Sequence, residues 1–210
     1  ERFSFFCKAI LEVLPEIDFF PDIIHCNDWQ TGMVPALLKT QYAELPDYQD
    51  IKTVFTIHNL NYQGMFPWDQ IDDYLSIGCK YFTPEKLEFY GCANFMKAGI
   101  VFADTLSTVS PSYAAEIQTP FLGERMDGLL RSRQDDFTGI LNGLDKDVYD
   151  PMNDPYIAAG FSVMDLMGKG ICKAALQEEL GLDIRPDVPL IGMVTRFADQ
   201  KGLDLIECVL

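Results

Sequence analysis

Phe3, Phe6, Ile10 and Leu14 recur at helical spacing, so residues 2–14 predict an amphipathic helix with one face turned to a core. Past a turn at Pro21 the pattern shortens, and Asp22-Ile-Ile-His25 predicts a strand that ends in polar residues. Thr31 to about Glu44 is again helical, with Pro35 tolerated in the first turn. Thr53-Val-Phe-Thr-Ile-His58 is a β-branched strand, followed by a loop through Asn61, Gly64 and Pro67. The apolar period then predicts a long helix from Pro84 to Ala103, a strand at Thr105–Val109, and a helix opened by Pro111. Thr138-Gly-Ile-Leu141 is a fourth strand, stopped by Asn142-Gly143. Residues 165–180 are helical, Val188–Val194 is a fifth strand, and Lys201–Leu210 a last helix.

Strands that alternate with helices, and are apolar along their whole length, predict an α/β fold. Its Rossmann-like parallel sheet would carry helices on both faces. The stretch Asp150–Pro155 is rich in Pro, Asp and Asn, and the domain division is expected near residue 147. Residues 1–147 then form one domain's portion, and 148–210 a linker and the start of a second. Neither terminus shows a capping signal, so the chain reads as a piece of a longer protein.

Composition narrows the partners. A net charge of −16 argues against nucleic acid and anionic membrane, both of which demand a basic face. No apolar run reaches the roughly 18 residues of a bilayer span. Six cysteines without a CxxC pair, mostly among apolar neighbours, point to reduced thiols in a cytoplasmic protein. The two histidines lack ligand-like spacing, so no metal site is expected.

Ligands of open α/β sheets bind beyond the carboxyl ends of the strands. Here those ends read His25-Cys-Asn-Asp28-Trp29, His58-Asn59, Ser110, Asn142-Gly143-Leu-Asp145 and Arg196. Each has a plain structural alternative. Asp28 is placed to cap a helix starting near Thr31, Trp29 to fill a core, and Asn142-Gly143 to make a turn. His25, inside an apolar strand, reads as a core histidine. His58 and Asn59 are stronger candidates, because the loop after them offers uncharged donors and acceptors suited to a polyhydroxylated sugar.

The segment Arg196-Phe-Ala-Asp-Gln200-Lys201-Gly202 puts two cations between a strand end and a helix start. A helix N-terminus already attracts anions, and two charge-assisted contacts of about 1.5–3 kcal/mol each would make a diphosphate clamp.

Taken together, six stretches resemble the glycogen synthase/starch synthase family of retaining glycosyltransferases. They are Ile24–Gly32, Val54–Phe66, Asn94–Ile100, Thr108–Ala114, Gly139–Asp145 and Thr195–Asp204. The resemblance implies two Rossmann-like domains facing each other across a cleft, the GT-B arrangement. It implies glucosyl transfer from ADP-glucose to the 4-OH end of an α-1,4-glucan such as glycogen, with retained configuration, no metal and no cofactor. By the same resemblance Asp28 binds glucosyl hydroxyls, with Trp29 beside it, and His58 lies next to the anomeric carbon with Asn59 as its neighbour. Asn142 contacts the sugar region. Arg196 and Lys201 neutralise the departing diphosphate, with Gln200 between them near the sugar. The oligomeric state is left undefined by these motifs.

The chain departs from the family pattern at Gly123-Glu-Arg-Met-Asp-Gly128, where the family has Gly-x-Gly-Leu-(Asp/Glu)-Gly, and at Phe197, where leucine is commoner. Other readings are a sucrose- or mannosyl-transferring enzyme of the same architecture, or a non-catalytic carbohydrate-binding domain using Trp29, Tyr62 and Trp68. The Asn-Asp-Trp and Tyr-Gln-Gly motifs argue against the former.

Overall fold

Helix α1 (Arg2–Glu16) leads into strand β1 (Ile23–Asn27), a 3-10 turn at Trp29–Thr31, helix α2 (Met33–Thr40) and strand β2 (Lys52–Ile57). Next come β3 (Met65–Pro67), α3 (Trp68–Leu75), β4 (Glu88–Phe89), β5 (Cys92–Asn94) and α4 (Phe95–Phe102). Then follow β6 (Thr105–Thr108), α5 (Pro111–Glu116), α6 (Asp127–Ser132) and β7 (Phe137–Gly139). A computed structural model describes residues 1–198 and 201–209, and the chain divides into two units, Glu1–Asn142 and Gly143–Leu210.

In the first unit β1-β2-β6-β7 form a fully parallel sheet, with Phe55 opposite Cys26 and Leu106. These register partners share one face, and Cys26, Phe55, Ile57, Leu106, Thr108 and Phe137 on it are buried among the helices. Helix α1 buries Ser4, Cys7, Leu11 and Leu14. That face is rotated from the predicted one, because Phe6 is 47% exposed while Phe3 and Ile10 pack at the margin of the core.

The sequence motif Asn94-Phe-Met-Lys-Ala-Gly-Ile100 proves architectural. Asn94 caps α4 by accepting the Lys97 N–H at 2.9 Å. The buried Lys97 ammonium donates to the carbonyls of Pro84 and Glu88 (2.6 Å for the latter), which satisfies its charge and ties down the preceding loop. A side chain at Gly99 would strike the Phe55 ring, and one at Gly32 the Phe95 carbonyl at 1.9 Å, so both glycines permit close packing around α4.

The long helix expected over 84–103 is corrected. Residues 88–94 form an antiparallel hairpin, β4–β5, extended by β3 into a second sheet of order β3-β5-β4. Tyr90 and Gly91 both have positive φ (49° and 83°), the geometry of a two-residue hairpin turn, and it overrides the apolar helical period.

In the second unit helix α7 (Met167–Glu179) matches the expectation over 165–180, and α8 (Leu203–Glu207) is a shorter form of the last predicted helix. The strand expected at Val188–Val194 is not formed. A strand needs a neighbour to take its N–H and C=O groups, and this unit has no other strand among its described residues. Instead the Val188 carbonyl accepts from Lys173 of α7, while Ile191 and Val194 are exposed.

Candidate active site

Asp28, one residue past β1, continues the ladder by donating its N–H to Thr56 O at 2.9 Å. The chain then turns sharply, with Asp28 at φ 56° and ψ −179°, a backbone conformation that costs a non-glycine residue of order 1–3 kcal/mol. Its side chain makes no capping hydrogen bond to the turn that follows. Instead Oδ1 reaches across to the end of β2 and accepts the backbone N–H groups of His58 at 2.8 Å and Asn59 at 3.3 Å. The helix-capping alternative for Asp28 is therefore overturned: the carboxylate joins two strand tips.

The His58 ring is held by the same strand end, with Nε2 2.9 Å from Asn27 Oδ1. With an oxygen acceptor facing it, Nε2 carries a proton and donates to Asn27 Oδ1. Asn59 Oδ1 accepts the Asn61 N–H at 3.0 Å, which winds the loop onto itself. Leu60 N–H donates to the Tyr113 hydroxyl at 3.1 Å, from the first turn of α5. Burial chiefly pushes the Tyr113 phenol up, with the nearby charges of Glu124, Asp28 and Glu116 adding to it, so the hydroxyl stays protonated. Ser110 caps α5 by accepting the Tyr113 N–H at 2.9 Å and so fixes where that phenol starts.

The far end of the loop plugs the start of α4. Gln63 O and Gly64 O accept the N–H groups of Met96 and Phe95, two of the donors a helix leaves unpaired at its N-terminus. Gly64 has φ 65°, and a Cβ there would lie 2.2 Å from the Trp29 indole. Trp29 itself is half-buried, edge-on to Phe3 at 4.8 Å and close to Phe66 and Phe95. It supports the loop from beneath.

The structure thus brings Asp28, Trp29, His58 and Asn59 together at the carboxyl ends of β1 and β2. Asn142 is exposed, three residues beyond β7 at the same end of the sheet. Arg196 and Lys201 belong to the second unit and are exposed, Lys201 lying just before α8. The strand expected to lead into Arg196 is absent there, and Gln200 lies outside the described residues. His25 is corrected from a core residue. It is exposed on the edge strand, where Nε2 meets Thr56 Oγ1 at 2.6 Å, and Thr56 in turn bonds Ser107.

Sequence reasoning missed Asn27, Gln63 and Tyr113 as parts of the site. The Ser-Pro-Ser-Tyr run held the signal for Tyr113, since a capping serine at 110 fixes the residue three positions on. Among the described residues no group of three or more His, Cys, Asp or Glu is placed to hold a metal ion. None of the helices there is long and apolar enough to cross a membrane.

Comparisons with known proteins place the chain in a family. Residues 1–132 match the family model described as the starch synthase catalytic domain. The glycogen synthase of Geobacillus stearothermophilus is 56% identical over 209 residues, covering 100% of this chain and 43% of the relative. That of Desulforamulus reducens is 55% identical over 210 residues, covering 100% and 44%. The chain thus spans less than half the length of these relatives. Among solved structures, the catalytic domain of starch synthase IV from Arabidopsis thaliana, bound to ADP and acarbose, superimposes with a TM-score of 0.86. It is 37% identical, and the match covers 99% of this chain and 43% of that one. On the family match and the parallel sheet that carries Asp28 and His58, the chain belongs to the starch synthase catalytic domain family of glycosyltransferases.

Proposed function

We propose that this chain is part of a glucan synthase that moves glucose from ADP-glucose to the non-reducing 4-OH of an α-1,4-glucan, glycogen in a bacterium, with retained configuration. The observation that carries this reading is the corner where Asp28 Oδ1 holds the His58 backbone at 2.8 Å. With Oδ1 taken by two N–H groups, Oδ2 accepts glucosyl hydroxyls. His58 presents its ring at the anomeric carbon, and Trp29, Asn59 and Asn142 line the sugar. The ADP and acarbose bound to the starch synthase IV catalytic domain support an ADP-linked donor and a saccharide ligand.

Arg196 and Lys201, with Gln200 between them, act on the diphosphate as it leaves. Fixed positive groups aimed at developing charge are the largest single term in many such reactions. In a chain with 16 basic residues against 32 acidic, that pair is the natural anion site. Residues 1–147 supply the sugar-handling portion and 148–210 begin the nucleotide-sugar domain. The six free thiols fit a cytoplasmic setting, with no nucleic acid or membrane partner.

The full-length protein tests this reading. Incubated with glycogen and either ADP-glucose or UDP-glucose, it should release ADP and extend the glucan with α-linkages resolved by NMR. Preference for UDP-glucose, or a β-linked product, would overturn the donor or the stereochemistry.

A further inference from the structure

Asn27 is the last residue of β1 and His58 the first beyond β2, and their side chains meet, His58 Nε2–H donating to Asn27 Oδ1 at 2.9 Å. Asparagine is a poor strand former, because its amide competes with the ladder for backbone partners. Core packing does not account for it here, since Asn27 is exposed. The bond to the ring does.

Both backbones that carry the pair are fixed. Asn27 stands opposite Thr56 in the parallel ladder, and its carbonyl accepts from the Thr31 hydroxyl at 2.8 Å. On β2 the peptide between Ile57 and His58 is held at both ends. Ile57 O accepts from the buried Thr108 hydroxyl at 2.6 Å, and His58 N–H donates to Asp28 Oδ1 at 2.8 Å. What is left to set at this corner is the rotation of the imidazole, and the Asn27 amide oxygen sets it. Thr56, which shares a face of the sheet with Asn27, already bonds His25 and Ser107 at 2.6 Å each, so the Asn27 oxygen is left to the ring. An amide also suits the place chemically. It accepts a hydrogen bond without charge, whereas an aspartate at 27 would set a second carboxylate directly beside Asp28.

We propose that Asn27 is a positioning residue for glucosyl transfer. It fixes the His58 ring in the orientation that faces the anomeric carbon, and it contributes to turnover only through that ring. This inference rests on the proposed glucan synthase reading. A ring free to turn spends much of its time away from the reacting geometry, and a displacement of about 1 Å can cost about a hundredfold in rate. Asn27 itself touches neither the diphosphate nor the glucan in this assignment, so its loss acts on kcat and leaves the KM of both substrates in place.

Steady-state rates of the full-length parent, Asn27→Ala, His58→Ala and the double variant test it, with ADP-glucose and glycogen varied separately. Asn27→Ala should lower kcat roughly tenfold to a hundredfold and keep both KM values within about twofold of the parent's. Asn27→Leu, which keeps the side chain's bulk but offers no acceptor, should match it. Added to His58→Ala, Asn27→Ala should cost nothing further, because the ring it holds is gone. A merely structural role would lower kcat alike in both backgrounds. That result, a parental kcat in Asn27→Ala, or a change confined to KM overturns the proposal. A crystal structure of full-length Asn27→Ala reads the geometry without activity: the His58 ring should leave its place beside residue 27, and a ring that stays there also overturns it. Absence of transfer by the parent would instead strike the glucan synthase reading.

Discussion

Asp28 Oδ1 holds the backbone N–H of His58 at 2.8 Å, so the carboxylate at the tip of β1 sets where the chain leaves β2. The same oxygen takes Asn59 N–H, and the residue that supplies it sits in a left-handed backbone. These two facts separate its structural from its chemical contribution. Asp28→Ala loses two charge-assisted bonds and keeps the backbone strain, and should destabilise by about 2–3 kcal/mol. Asp28→Gly should recover about 1 kcal/mol of that by relaxing φ. Neither should restore glucosyl transfer in the full-length protein. Denaturant unfolding and initial rates measured side by side check both halves, and an active Asp28→Gly variant would show that the carboxylate only shapes the loop.

Tyr113 gives a second test of the loop. Removing its hydroxyl in Tyr113→Phe leaves Leu60 N–H without its acceptor, at an expected cost of about 1–3 kcal/mol. Ser110→Ala should cost about 1 kcal/mol through the lost cap. Because the two residues act on one turn, the double variant should cost less than the sum. Strict additivity in thermal or urea unfolding would show that they act independently.

Much of this was legible beforehand, and what was not has identifiable causes. The four strands of the parallel sheet follow from short apolar, β-branched runs, and they place Asp28 and His58 at their tips. The hairpin at 88–94 was hidden, because Tyr90 stands in a turn position where Asn, Asp or Gly would have announced it. The absent strand at 188–194 shows the limit of a periodicity argument: the run Val-Pro-Leu-Ile-Gly-Met-Val is apolar enough, but pairing is a property of the neighbour. The role of Asp28 was ambiguous in sequence, since capping and cross-strand acceptance require the same side chain, and only the tertiary path of residues 56–59 distinguishes them.

The acidic range should expose a different pair. Burial pulls the Asp104 carboxyl up, but hydrogen bonds from Lys39 and from the N–H and hydroxyl of Thr53 outweigh it and hold the group below its ordinary value. The distances are 2.9 Å to Lys39 Nζ and 2.7 Å to Thr53 N. A carboxylate depressed in the folded state contributes stability that is complete above the unfolded pKa, about 3.9, and is lost as pH falls through the lower folded value. Asp104→Asn should therefore be less stable than the parent at pH 7, by about 1 kcal/mol for so partly exposed a pair. The difference should narrow below about pH 4. A gap that stays constant down to pH 2 would mean the charge of Asp104 contributes nothing.

Thiol reactivity should divide by environment. Burial pushes Cys7 up to about 12, and pushes Cys26 up to about 12 with the neighbouring Cys7 adding to it, whereas Cys79 and Cys208 are exposed. Only the thiolate reacts, so iodoacetamide at pH 8 should label Cys79 and Cys208 and spare Cys7 and Cys26 until the protein is denatured. Rapid native labelling of Cys26, two residues before Asp28, would mean that the tip of β1 opens readily.

The central proposal is that the Asp28–His58 corner handles the sugar in an ADP-glucose-dependent glucan synthase, and that Arg196 and Lys201 act on the departing diphosphate. The most direct measurement is incorporation of radiolabelled glucose from ADP-glucose into glycogen by the full-length protein, its His58→Ala, Arg196→Ala and Lys201→Ala variants, and the 210-residue chain alone. The account predicts ready labelling by the parent, losses of orders of magnitude in each variant with the fold retained, and no labelling above background by the isolated chain. Near-parental labelling by any of the three variants, or by the 210-residue chain, would contradict it.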